Sequence, residues 1–301
     1  MSRPKLIAIG AVGTIGLLVI GYFLWPSESL LLELEPVATT TPEIVASVPF
    51  VTQVIGASVE ARPITVYQFG EGPIPLLFVG GIHGGYEWNS VLLANETIAY
   101  LTANPAEVPG HLTIHIIPNL NPDGLVKTLG TTNLRSVADV PNPTVRDAAG
   151  RFNANGVDLN RNFDCKWAPE STWRGQTVSA GTRPFSEPEA AALRDYVLAI
   201  NPVAVAFWHS QANNVYASEC EAGVLPDTLA LMNAYATAGS YGAVASFDAY
   251  PITGDAEGWL ASIGIPAVTV ELESFSNTEW TRNWAGMQAW FLYFEEPLVN
   301  L

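Results

Sequence analysis

The chain has 301 residues, 49% hydrophobic and only 14% charged, with 13 Lys+Arg against 29 Asp+Glu and a formal net charge of −16. A charged fraction well below the usual ~25% excludes a disordered or coiled-coil chain and leaves ample material for a large core. Binding a phosphate backbone needs clustered Lys and Arg, so the scarcity of cations excludes a nucleic-acid partner.

The apolar surplus is partly local. Leu6 to Trp25 is an uncharged run of 20 residues, long enough at ~1.5 Å per residue to cross the ~30 Å hydrocarbon layer. Arg3 and Lys5 precede it and the first acid is Glu28, so the positive-inside rule leaves residues 1–5 in the cytoplasm and puts everything after Trp25 outside. Tyr22-Phe23-Leu24-Trp25 closes the run as an aromatic belt rather than with the small residues of a cleavage site. A retained transmembrane signal anchor (6–25) is therefore expected, with secretion after signal cleavage as the alternative. Residues 26–48, rich in Ser, Thr, Pro and Glu, read as a tether. The remainder, 49–301, reads as one domain.

That domain opens with a hairpin and then alternates α and β elements. Val59 to Phe69 and Leu76 to Val79 predict strands, Ser90 to Leu101 a helix, and His111 to Ile117 a strand with Leu112, Ile114 and Ile116 on one face. Ser186 as a cap, with Pro188 and Glu189 in the first turn, starts a helix that runs to Ala199. Val203 to Phe207 and Ala267 to Val270 predict buried strands; Asp227 to Ala238 and Trp284 to Phe294 predict helices. Continuous apolar strands between helices imply a mixed, mostly buried central sheet covered by helices on both faces, an α/β fold whose chemistry gathers past the carboxyl ends of its strands.

Three of these strands end in polar residues that can share one site: Leu76 to Val79 leads through Gly80-Gly81-Ile82 to His83, Val203 to Trp208 leads to His209, and Ala267 to Val270 leads to Glu271. His83 and Glu87 lie in a Gly-rich turn at a helix start, where an imidazole and a carboxylate can reach one cation, and His209 can complete three protein ligands. Two His and one carboxylate with an open fourth position make a catalytic zinc arrangement. Singly, each also has an ordinary role, as a turn histidine, a solvated first-turn acid and a satisfied strand-end histidine.

Gly80-Gly81-Ile82-His83-Gly84-Gly85-Tyr86-Glu87, Pro118-Asn119-Leu120-Asn121-Pro122-Asp123-Gly124, Gly156-Val157-Asp158-Leu159-Asn160-Arg161-Asn162-Phe163, Phe185-Ser186-Glu187-Pro188-Glu189, His209-Ser210-Gln211 and Thr269-Val270-Glu271-Leu272 resemble, in order, the signature segments of the zinc carboxypeptidase family over nearly all of 50–295. The resemblance implies a carboxypeptidase-like fold and one Zn2+ per chain, with His83, Glu87 and His209 as its ligands. It further implies Glu271 as general base, Asn160 and Arg161 as the clamp on the substrate's terminal carboxylate, and Tyr250 as a mobile residue that closes over the substrate. Arg151 corresponds best to the arginine beside the developing oxyanion, with Arg146 and Arg135 as alternatives. The usual motif has two residues between the histidine and the glutamate. Here there are three, which the Gly84-Gly85 pair can absorb in a bulge.

The segment Gly254-Asp255-Ala256-Glu257-Gly258-Trp259 matches the family's pocket for the released side chain, where acids favour a cationic group. Asp255 and Glu257 thus suggest a C-terminal Lys or Arg, or a diaminopimelate residue of a cell-wall peptide; as solvated loop acids they would carry no such meaning. His111 and His115, on one strand without partners at ligand spacing, read as structural. Cys165 and Cys220, an even pair outside the cytoplasm, read as a disulfide, with zinc binding as the second reading. The expectation is a membrane-anchored, extracytoplasmic zinc metallocarboxypeptidase acting on a peptide or peptidoglycan peptide with a free carboxylate. The alternatives are a γ-glutamyl-diaminopimelate endopeptidase, an N-acyl amino acid deacylase, or an inactive binding module.

Overall fold

The computed structural model describes residues 51–144, 146–248 and 250–295. The expected membrane helix and tether lie outside them, and among the described residues no helix is long and apolar enough to cross a membrane.

A hairpin comes first, β1 (Val51–Ala57) and β2 (Pro63–Phe69), followed by β3 (Ile74–Val79), α1 (Trp88–Ala103), β4 (Leu112–Ile117) and α2 (Pro122–Leu129). The expected strand from Val59 starts later because Ser58 to Arg62 forms the hairpin turn, in which Ala61 N–H donates to the Ser58 carbonyl at 2.9 Å. A long stretch of short 3-10 turns and a second hairpin, β5 (Glu170–Trp173) and β6 (Gln176–Ser179), leads to α3 (Pro188–Ile200) and β7 (Ala204–Ser210). The cap of α3 is Glu187 rather than Ser186, whose hydroxyl instead meets Asn162 Nδ2 at 3.0 Å. Then come β8 (Asn214–Ala217), β9 (Glu219–Cys220), β10 (Gly223–Val224), α4 (Pro226–Gly239), β11 (Gly242–Val244), α5 (Ala256–Ser262), β12 (Ala267–Leu272) and α6 (Trp280–Tyr293).

Eight strands form one mixed sheet in the order β1-β2-β4-β3-β7-β12-β8-β11. Its centre, β4-β3-β7-β12, is parallel throughout, so β3, β7 and β12 deliver their carboxyl ends to the same edge, side by side. Helices cover both faces, as the apolar runs require. Leu76, Phe78, Trp208 and Val270 pack with α1, α4 and α6 through Leu93, Tyr235 and Trp290. Leu77, Val79, Phe207 and Ala267 pack on the other face with Leu193 of α3 and Leu260 of α5. Side chains such as Phe78 and Trp208 that are fully buried each contribute about 2 kcal/mol of hydrophobic stabilisation.

Trp208 sets the direction of its neighbour in β7. Its ring stacks on Phe78 with centroids 5.4 Å apart, and its Nε1–H donates at 3.1 Å to the Tyr235 hydroxyl, which donates at 2.9 Å to Asn283 Oδ1. With Trp208 locked into one face, the two-residue period of a strand turns His209 to the other. Glu271 pairs with His209 in the β7–β12 register, so both side chains project from the same face.

Candidate active site

His83 leaves the sheet through the turn after β3, and the three-residue spacer to Glu87 closes as a 3-10 turn, Gly84–Glu87, with the Tyr86 N–H donating to the His83 carbonyl at 3.0 Å. Gly84 has φ +45°, and a Cβ on Gly85 would lie 1.6 Å from Thr128 Oγ1, so neither position accommodates a side chain. The glycine pair thereby absorbs the extra residue and returns Glu87 to His83.

His83 Nδ1, His209 Nδ1 and Glu87 Oε2 form a nearly equilateral triangle. Nδ1 to Oε2 is 3.0 Å from His83 and 3.1 Å from His209, and the two Nδ1 atoms are 3.2 Å apart. Three donors held at about 2.0–2.1 Å from a tetrahedral zinc stand roughly 3.3 Å from one another. The triangle fits one face of that tetrahedron. All three residues are buried, and they form a group able to hold a metal ion among the described residues.

Carboxylates stand behind both imidazoles: Asp158 Oδ1 is 3.5 Å from His83 Nε2 and Glu257 Oε1 is 3.2 Å from His209 Nε2. Such partners fix the ring orientation and raise the basicity of a ligand histidine. Burial opposes charge on His209, but its contacts to Glu257 and Glu87 outweigh this and raise it to about 10. Burial likewise opposes the Glu87 charge, yet His83 and His209 hold its carboxyl well below the ordinary range. The same carboxylates, Glu87, Asp158 and Glu257, would offset the charge of a cation held by the two imidazoles.

Glu271 sits beside this group. Burial, reinforced by the Glu87 carboxylate, pushes its carboxyl up to about 7 against the opposite pull of His209, Arg146 and Arg151, and its Oε2 is buried without a hydrogen-bond partner. These residues line one cleft of about 730 Å³.

The expected arginines arrive on loops. Arg151 is buried, its Nε donates to Asp158 Oδ2 at 2.8 Å, its guanidinium lies 4.7 Å from the Trp173 ring centroid, and one terminal nitrogen is 4.0 Å from Glu87 Oε1. Arg151 and its neighbours outweigh burial and hold the Asp158 carboxyl far below its usual range. Arg146 also lines the cleft, 3.4 Å from Glu87 Oε1. Arg135 does not; it bonds Asn133 Oδ1 on an exposed segment, so the structure removes it from the alternatives. Arg161 lines the cleft with its buried Nε unpartnered and a terminal nitrogen donating to the Asn160 carbonyl at 2.6 Å. Asn160 Oδ1 accepts from the Ala256 N–H at 2.8 Å.

Tyr250 is 37% exposed on the cleft wall and meets Phe247 edge-on, with ring centroids 4.8 Å apart. Asp255 and Glu257 line the cleft too but are not solvated loop acids. Asp255 caps α5 by accepting from the Gly258 N–H at 2.7 Å, and Glu257 accepts from Thr269 Oγ1 at 2.9 Å while it braces His209. Cys165 and Cys220 form a disulfide with Cα atoms 6.0 Å apart, leaving no free cysteine for zinc among the described residues. His115 lies buried against the Tyr196 hydroxyl at 2.8 Å, and neither it nor His111 joins the metal group.

Sequence reasoning gave Asp158 no role, although it stands in the very segment that supplied Asn160 and Arg161, and read Glu257 as a pocket acid rather than a brace for His209. It also missed Asn89, whose amide donates to the Ser274 and Asn277 carbonyls at 2.9 and 3.0 Å while its Oδ1 accepts from Ser210, tying α1 to the ends of β7 and β12.

A model of the zinc carboxypeptidase family matches residues 34–288. Gamma-D-glutamyl-L-diamino acid endopeptidase 1 of Lysinibacillus sphaericus is 27% identical over 245 residues, covering 74% of this chain and 60% of that protein. Carboxypeptidase B of Astacus astacus is 29% identical over 177 residues, covering 55% of this chain and 53% of that protein. The chain thus spans little more than half the length of these relatives. Two solved structures share the fold. The murein-tripeptide amidase MpaA from Escherichia coli O157 has a TM-score of 0.57 at 23% identity, covering 83% of this chain and 94% of that one. Bovine thrombin-activatable fibrinolysis inhibitor has a TM-score of 0.62 at 20% identity, covering 81% and 90%. Ordered motifs, fold and a His-Glu-His group agree with the match over 34–288, and the chain belongs to the zinc carboxypeptidase family of metallopeptidases.

Proposed function

We propose that the chain hydrolyses the peptide bond next to a free terminal carboxylate, with one zinc held by His83, Glu87 and His209. The observation that carries this reading is the donor triangle at the ends of adjacent parallel strands, with Glu271 paired to His209 in register. These three residues would hold the zinc, which when bound would polarise the scissile carbonyl and lower the pKa of a water there to about 7. Glu271 would take the proton of that water and return one to the departing amine, a role for which its unpartnered Oε2 in the same cleft places it. Arg151, with its Nε spent on Asp158, turns its terminal nitrogens to the charge developing on the carbonyl oxygen, a contribution of about 3 kcal/mol in comparable sites. The unpartnered Nε of Arg161 and the Nδ2 of Asn160 hold the terminal carboxylate, and Tyr250 covers it.

The released residue carries an amine in this reading. Burial and the nearby Glu257 push Asp255 up to about 6, a cost that a bound ammonium relieves. Lysine, arginine and diamino acids all supply a cationic group. A second reading, cleavage of a γ-glutamyl bond to a diamino acid in cell-wall peptides, is favoured by the relative from Lysinibacillus sphaericus, whose name states that activity. The disulfide and the uncharged run Leu6 to Trp25 support a membrane-anchored chain working outside the cytoplasm.

Amine release from blocked peptides ending in Lys, Arg or Leu, and from a γ-glutamyl-diaminopimelate peptide, tests both readings. Fastest release from the amine-bearing ends, abolished by a chelator and restored by zinc, is expected. Equal rates on the Leu peptide would overturn the preference, and no chelator-sensitive release from any of them would overturn the hydrolase.

A further inference from the structure

Arg146 makes contacts that neither substrate binding nor oxyanion stabilisation explains. Its guanidinium lies over the Tyr86 ring, 3.9 Å from the centroid. From there Nε donates to the Tyr86 carbonyl at 3.4 Å, while one terminal nitrogen donates to the Ser210 carbonyl at 2.8 Å and stands 3.4 Å from Glu87 Oε1. It therefore touches the residue before one metal-ligand candidate, that candidate's own carboxylate, and the residue after another. Phe275 flanks it at 5.4 Å. The Glu87 oxygen it meets is Oε1, whereas Oε2 belongs to the donor triangle.

We infer that Arg146 is a positioning residue for the metal centre: it clasps the Glu87 turn to the end of β7 and holds Glu87 Oε1 aside, so that the carboxylate offers Oε2 alone. The three-residue spacer makes this clasp possible. It places Tyr86 immediately before Glu87 with its ring as a shelf for the guanidinium, and that ring is itself held by Trp173 edge-on at 5.2 Å. A planar cation with several donors suits the task, since stacking and two carbonyl contacts are made at once. A lysine supplies the charge without the fork.

This inference rests on the reading of His83, Glu87 and His209 as zinc ligands, and its test reads zinc affinity directly rather than hydrolysis. Zinc dissociation constants of the full chain and of R146A, R146Q and R146K are to be measured by competition with a chromogenic chelator, alongside melting of the metal-free proteins. Loss of a partner outside the ligand shell typically weakens metal binding by about 10- to 100-fold. A loss of that size is expected in R146A and R146Q, and a smaller one in R146K. At saturating zinc, KM should change by less than about twofold, which separates a clasp from a substrate-binding arginine. Tight zinc binding by the native chain with unchanged affinity in R146A and R146Q would overturn the role of Arg146 alone. So would a rise in KM at full zinc occupancy. A native chain that binds no zinc would overturn the ligand reading as well. Should R146A melt below the assay temperature, R146Q, which keeps an amide donor at the same position, carries the comparison.

Discussion

His83, His209 and Glu271 stand at or just beyond the ends of three neighbouring parallel strands, whereas Arg151 and Arg161 ride on the stretch between α2 and α3, which holds only 3-10 turns and one short hairpin among the described residues. The first group is placed by the sheet. Its spacing follows from register, and its side-chain direction from residues such as Trp208 that are locked in the core. The second group is placed by individual bonds. Asp158 N–H donates to the Ser179 carbonyl at 3.0 Å, Phe163 N–H to the Gly254 carbonyl at 2.9 Å and Gly254 N–H to the Cys165 carbonyl at 2.7 Å, with the disulfide at the end of the chain of contacts. Chemistry that must be invariant in position sits on the sheet; groups that grip the substrate sit on loops that a few polar contacts and one covalent link hold in shape.

Substitutions should separate the two halves, and the largest effect belongs to the sheet. Glu271→Gln removes the base without touching the donor triangle, so turnover should fall by about 10²–10⁴-fold while stoichiometric zinc remains by metal analysis; turnover within tenfold of native would break the assignment. On the loop side, replacing Cys165 and Cys220 with serine opens a loop of 55 residues and should cost about 4 kcal/mol on the chain-entropy estimate. Denaturant unfolding reads that loss, with zinc affinity expected to change less than KM because the disulfide braces the Arg161 segment and not the sheet ends.

The sheet also has an acid weakness. Burial lowers His115 to about 4, below its unfolded value of about 6.5, so the unfolded chain takes up the proton first as the pH falls. Stability is fully present above about pH 6.5 and declines toward pH 4, by up to about 3 kcal/mol from this group. His115→Gln should flatten the stability curve across that window. An unchanged slope would show that another group dominates. The smallest effect expected is a rise in KM of about 10- to 100-fold in Arg161→Ala, the cost of roughly 1.5–3 kcal/mol for a charged hydrogen bond, with kcat much less affected. A fall in kcat alone would move Arg161 from the carboxylate to the reacting centre.

This division also explains how much is legible in the sequence. Apolar strands ending in Gly-Gly-Ile-His, His and Glu can be read because a buried parallel strand is a continuous hydrophobic run and its exit residue is set by the sheet. The helices α2 and α5 escape a sequence reading, being 8 and 7 residues long, too short for a periodic pattern. The strand β8 and the edge strand β11 escape it for the same reason, being 4 and 3 residues long. Arg135, Arg146 and Arg151 cannot be told apart by sequence because a loop carries no period, and only tertiary bonds such as Arg151 Nε to Asp158 distinguish them. Asp255 and Glu257 are legible as pocket acids but not as a helix cap and a histidine brace, roles that depend on where α5 lands.

Hydrolysis in this reading requires His83, Glu87 and His209 together to hold one zinc, and anomalous diffraction at the zinc edge from crystals of the zinc-loaded chain tests this most directly. A single strong peak is expected at about 2.0–2.2 Å from His83 Nδ1, His209 Nδ1 and Glu87 Oε2, with Glu271 beside it and unligated; a peak elsewhere, or none between these three residues, would contradict it.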